Sequence, residues 1–154
     1  MLGGTLALGL PLAAGCAKKT PPKLTPHPDV AVLTAAIDGE SGLIALYEAV
    51  TAKHADLTQR LAPLLTHHRD HLSVLRRHYR PGSGEGTPTP AVQGTPPGVP
   101  DEAAQAVATL RTAERRAAAA RATDVQNVSP GLAQLFASIG ACEAGHAALL
   151  ARVV

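Results

Sequence analysis

A chain of 154 residues is long enough for one domain with a buried core and too short to expect two. Its 14 basic and 12 acidic residues leave a net charge of +2, and basic residues run no longer than pairs such as Arg76-Arg77 and Arg115-Arg116. Nucleic-acid binding needs a concentrated basic face, usually with stacking aromatics, and is not expected in a chain whose aromatics are Tyr47, Tyr79 and Phe136. The abundant alanine favours helices that approach one another closely and disfavours strands.

Residues 2–15, LGGTLALGLPLAAG, are uncharged, apolar and end in small residues, the pattern of a secretory signal. The run is too short to span a bilayer comfortably, for which about 20 residues are needed. Leu12-Ala13-Ala14-Gly15 before Cys16 resembles the bacterial lipobox, although no Lys or Arg precedes Lys18 to give the usual basic start. The resemblance implies a signal peptide over 1–15, lipid on Cys16, and a lipoprotein held to the outer face of the plasma membrane. Residues 16–28 are basic and proline-rich, a spacer that cannot be helical. Cys142 is then the one cysteine left, which excludes an intramolecular disulfide, and it reads first as a small core hydrophobe, with a metal or redox role as the lesser alternative.

Four helices are expected over 29–152. In the first, Val30, Leu33, Ile37, Ile44 and Tyr47 recur at helical steps from an Asp29 cap to about Lys53. The second begins near Asp56, which stands three residues before Gln59 as in a capping box, and runs through Leu61, Leu64, Leu65, Leu72 and Leu75 to Tyr79. Pro63 inside it should kink it or move its start to about Arg60. Residues 81–100, PGSGEGTPTPAVQGTPPGVP, have no periodicity and read as a flexible crossover. Asp101 should cap a third helix through Val107 and Leu110 to about Gln126. Ser129-Pro130 starts a fourth that ends near Arg152. Short turns make the first and second helices, and the third and fourth, antiparallel neighbours, and one long crossover between helices 2 and 3 is the connectivity of a ferritin-like bundle.

Charged residues on apolar stripes are the informative ones, because burying them is costly unless something pairs with them. Glu40 lies on the line Leu33, Ile37, Ile44, Tyr47, and His68 and His71 lie between Leu64 and Leu75. Glu114 follows Val107 and Leu110, and Glu143 and His146 follow Phe136 and Ile139. Glu143-Ala144-Gly145-His146 resembles the Glu-x-x-His element of ferritin-like di-iron carboxylate proteins. Glu40, with Tyr47 two turns later, and Glu114 resemble the lone glutamates of that superfamily's first and third helices. The chain is most similar, over about 29–152, to ferritin-like domains of unknown function in bacterial exported proteins.

That resemblance implies a metal site built from Glu40, His68, His71, Glu114, Glu143 and His146. The second helix departs from it, offering His67-His68-Arg69-Asp70-His71 where another Glu-x-x-His belongs. Fewer carboxylates and more imidazole move the expected cofactor from a pair of iron ions toward a single copper or zinc. On the residues alone, Glu114 could equally be a solvated ion pair with Arg111, Arg115 or Arg116. His27, His54, His67 and His78 read as surface or linker residues. The alternative function is a non-catalytic envelope lipoprotein whose helices form a binding or scaffold surface without metal. A hydrolase finds no support, for the sequence contains no Gly-x-Ser-x-Gly element and no catalytic residue can be named.

Overall fold

The computed structural model describes residues 27–79 and 98–153; the signal, Cys16, most of the spacer and most of the crossover lie outside them. The described residues form four helices and no strand: α1 (Pro28–Lys53), α2 (Thr58–His78), α3 (Ala103–Asp124) and α4 (Pro130–Leu150), with a 3-10 turn at Ala55–Leu57 between α1 and α2.

Helix existence follows the stripes, and helix ends follow local bonding that the stripes do not encode. Asp29 is not the cap of α1. His27 holds that position, its Nδ1 accepting from the Asp29 amide at 3.3 Å, with Pro28 starting the helix. Asp29, inside the first turn, accepts instead from the Ser129 amide at 3.0 Å and ties α1 to the start of α4. The expected capping box at Asp56 is absent because that residue sits in the 3-10 turn, and α2 starts at Thr58 without a side-chain cap. Helix α2 passes through Pro63 as one assigned helix, neither broken there nor delayed to Arg60. The proline is close enough to the first turn that only the Gln59 carbonyl loses its partner. Asp101 is likewise no cap, since α3 is entered from Glu102 while Asp101 pairs with Lys53 at 2.6 Å. Ser129-Pro130 does open α4, though the serine side chain makes no capping bond.

End-to-end contacts fix the directions. Lys53 and His54, at the end of α1, bond to Val99, Asp101 and Pro100 before α3, so α1 and α3 are antiparallel. Arg60 near the start of α2 donates to the Val153 carbonyl at 2.8 Å, placing the end of α4 at that same end of the bundle. Helices α2 and α3 therefore run the same way. The chain between Tyr79 and Gly98 joins opposite ends of a bundle about 30 Å long at 1.5 Å per residue.

The apolar core is split. One cluster gathers Leu46, Tyr47, Val50, Leu57, Leu61, Leu64, Leu65, Ala106, Val107, Leu110 and Leu150, and a second gathers Leu33, Ala36, Leu75, Leu132, Phe136 and Ile139. Between them lies a layer of buried ionisable side chains. Helix α1 is long and apolar enough by composition to cross a membrane. It nevertheless buries Glu40 and Asp29 against the other helices, as a bundle core helix does.

Candidate metal centre

All four helices contribute to the polar layer, each through the residue that interrupts its apolar stripe. Glu40 comes from α1, His68 and His71 from α2, Glu114 from α3, and Glu143 and His146 from α4. Glu40, His68, Glu114, Glu143 and His146 are all at least 97% buried, and His71 is partly exposed. The structure thus brings together every residue the sequence singled out for metal. It also removes the alternative for Glu114, which turns away from the arginines of its own helix into the core.

His68 is the hub. Its Nδ1 lies 2.9 Å from Glu40 Oε2 and its Nε2 lies 2.7 Å from Glu114 Oε1. Tyr47 donates its hydroxyl to that same Glu114 oxygen at 2.5 Å. His71 Nδ1 stands 3.2 Å from Glu40 Oε1 and His146 Nδ1 stands 3.3 Å from Glu114 Oε1. Both are within ion-pair range, but neither is aligned as a hydrogen bond. An imidazole facing carboxylates through both nitrogens is best satisfied as an imidazolium, which donates from each. Burial pushes His68 toward the neutral form, yet the bonds to Glu114 and Glu40 outweigh it and hold its pKa at about 9. The same contest runs the other way in the carboxylates. Burial raises Glu114, and the facing His146 imidazole together with the hydrogen bonds from His68 and Tyr47 brings it down to about 2. Burial raises Glu40 too, and His68 and His71 leave it below its usual range.

Glu143 has no such partner. Burial, reinforced by the Glu40 charge, lifts its pKa to about 8 against the opposing field of Arg121, so it is largely protonated at neutral pH. Its Oε2 is fully buried without a hydrogen bond, as are Glu40 Oε1, Glu114 Oε2, His71 Nδ1 and His146 Nδ1. Each such orphan costs about 1–3 kcal/mol, so five in one layer call for something that binds between them. Two sets of donor atoms lie within 4.8 Å of one another and suit a cation: Glu40, His68 and His71, and His68, Glu114 and His146. Mixed carboxylate and imidazole donors fit iron, copper or zinc. A cation there would have to displace the His68 proton, so uptake would release protons.

Four residues have a setting that the sequence reading did not give them. His54 is not a surface residue; it is buried at the end of α1 with Nε2 3.0 Å from the Pro100 carbonyl. His67 is exposed as expected, but its ring stacks on His146 with Nδ1 3.0 Å from His146 Nε2. Cys142 is no core hydrophobe. It is partly exposed, with Sγ 3.4 Å from His146 Nε2 and 3.9 Å from His67 Nδ1. Arg121 went unnoticed and is 94% buried, its Nε 3.2 Å from Asp124 and its guanidinium over the Phe136 ring. The spacing of four between Cys142 and His146 was a readable signal for the third of these; nothing local marks Arg121. Compared with protein-family models, curated proteins and solved structures, the chain matches none.

Proposed function

We propose that this chain is a bacterial envelope lipoprotein, anchored through lipid on Cys16, whose ferritin-like four-helix bundle binds a metal ion in its interior. The supporting observation is the convergence of Glu40, His68, His71, Glu114 and His146 from all four helices into two close donor sets, with the buried Glu143 beside them and five buried polar atoms in the layer without hydrogen bonds. The crossover connectivity supports the ferritin-like part, because α2 and α3 run parallel as in that bundle. Iron, copper and zinc are the candidate ions. The histidine-rich α2 favours a mononuclear site over a di-iron oxidase, since fewer carboxylates offset less positive charge.

A second reading has its own observation. His68, charged and clamped between Glu40 and Glu114, neutralises the layer without metal, so the bundle can be a scaffold or binding module whose internal ion pair replaces an ancestral ion. Elemental analysis of the full chain, purified in detergent without added metal or chelator, separates the two. The metal reading expects close to one equivalent of a transition metal held through gel filtration. A protein free of metal that also takes up none on dialysis against Fe(II), Cu(II) and Zn(II) supports the scaffold.

A further inference from the structure

On the outer side of His146 a second donor set stands apart from the buried layer. His67 Nδ1 from α2, and Cys142 Sγ and His146 Nε2 from α4, all lie within 4.8 Å of one another. Cys142 and His146 are four residues apart, so they share one helix face, and His67 meets them across the α2–α4 interface. Tetrahedral Zn(II) with bonds of about 2.0–2.1 Å to nitrogen and 2.3 Å to sulfur holds its ligand atoms about 3.3 Å (N to N) and 3.6 Å (N to S) apart. The separations here are 3.0 Å between the two nitrogens, and 3.4 Å and 3.9 Å from sulfur to His146 and His67. Small side-chain rotations suffice to seat an ion.

His146 is also set up from behind. Its Nδ1 faces Glu114 at 3.3 Å, which favours the proton on that nitrogen and leaves the Nε2 lone pair on the Cys142 side. A carboxylate behind a ligating histidine is the usual device for fixing the tautomer of a metal ligand.

We propose that His67, Cys142 and His146 form a second metal site, selective for a thiophilic d10 cation, Zn(II) or Cu(I), with its fourth position open to solvent. The site uses the outward nitrogen of His146 and does not require the buried centre to hold metal.

Anaerobic Co(II) titration of the full chain carrying Cys16→Ser, which leaves Cys142 as the sole thiol, tests it. A saturable thiolate-to-cobalt charge-transfer absorption at one equivalent is expected, displaced by stoichiometric Zn(II). Cys142→Ser should abolish the absorption, and His67→Gln should weaken Co(II) binding at least tenfold, with helicity unchanged in both because each residue is partly or fully exposed. No such absorption in the parent, or one that His67→Gln leaves at full affinity, overturns the proposal. The band reports sulfur ligation alone, so an empty buried centre would leave it in place.

Discussion

His68 sits between two carboxylates with no exposed surface, and its charge governs the metal-free layer. Removing it takes from Glu40 its aligned hydrogen bond and leaves Glu114 only that of Tyr47, with His71 and His146 at ion-pair distance, so His68→Leu in metal-free protein should cost about 3 kcal/mol in denaturant unfolding. A loss under about 1 kcal/mol would show that the pair contributes little. The pH dependence follows from the same groups. His68 is raised from 6.5 to about 9, so its contribution is complete below pH 6.5 and is lost as pH rises through 9. Glu143 is raised from 4.5 to about 8 and acts in the same direction, losing its contribution as pH rises through 8. Glu114 is lowered from 4.5 to about 2, so its contribution is present above 4.5 and disappears as pH falls through 2. Glu143 begins to lose its contribution at 4.5, where that of Glu114 is complete, so metal-free protein should be most stable near pH 4.5, weaker by pH 5.5 and clearly weaker still at pH 9, measured by urea midpoints. Equal midpoints at pH 5.5 and 9 would contradict the assignment. Glu40, His68, Glu114, Glu143 and His146 were legible in the sequence because a charge on an apolar stripe is a local anomaly. A metal role for Cys142 was only the lesser reading and His67 read as a surface residue, because the donor that completes the set, His67, meets Cys142 and His146 only across two helices.

Between α3 and α4 the packing is closest where Gly140 faces Arg121. A Cβ on Gly140 would lie 2.8 Å from Arg121 Cβ, whereas one on Gly145 would meet nothing within 4 Å. Alanine is favoured over glycine in a helix by about 1 kcal/mol, so Gly145→Ala should stabilise by roughly that amount. Gly140→Ala should instead destabilise by about 1–2 kcal/mol net, because the clash is with a side-chain root rather than its flexible end. Thermal unfolding of the two variants checks this, and a stabilised Gly140→Ala would show that α3 and α4 can separate freely. The buried stripes of α2 and α4 followed the expected Leu61, Leu64, Leu65, Leu75, Phe136 and Ile139, whereas Leu72 is only partly buried. On α1 the stripe turned toward Ala36, Leu43 and Val50, with Ile37 and Ile44 only partly buried. Periodicity locates a face to within about one residue of rotation, and which flank is covered depends on where the neighbouring helices lie. Caps were the least legible, since Asp29 and Asp101 are spent on tertiary contacts with Ser129 and Lys53.

For the whole molecule, the directions of the four helices were readable from loop lengths, because two short turns and one long connection leave few arrangements. The anchor rests on the sequence alone. Cys16→Ser should move the protein out of the membrane fraction, and unchanged membrane retention would remove the lipoprotein reading. The central claim, that the layer dividing the core is a ligand set for metal, turns on Glu143. It is buried, unpartnered and mostly protonated beside the two close donor sets without belonging to either, so Glu143→Gln is nearly isosteric in metal-free protein and removes a carboxylate that a bound ion would recruit. The decisive measurement is thermal unfolding of the Cys142→Ser protein and its Glu143→Gln derivative, each with and without Fe(II) or Zn(II). A ligand at 100 times its Kd stabilises by about 2.7 kcal/mol, roughly 10 °C for a bundle of this size. The account predicts similar metal-free melting temperatures, a gain of that order in the parent, and less than half of it in the derivative; equal gains in both proteins, or none in the parent, would contradict it.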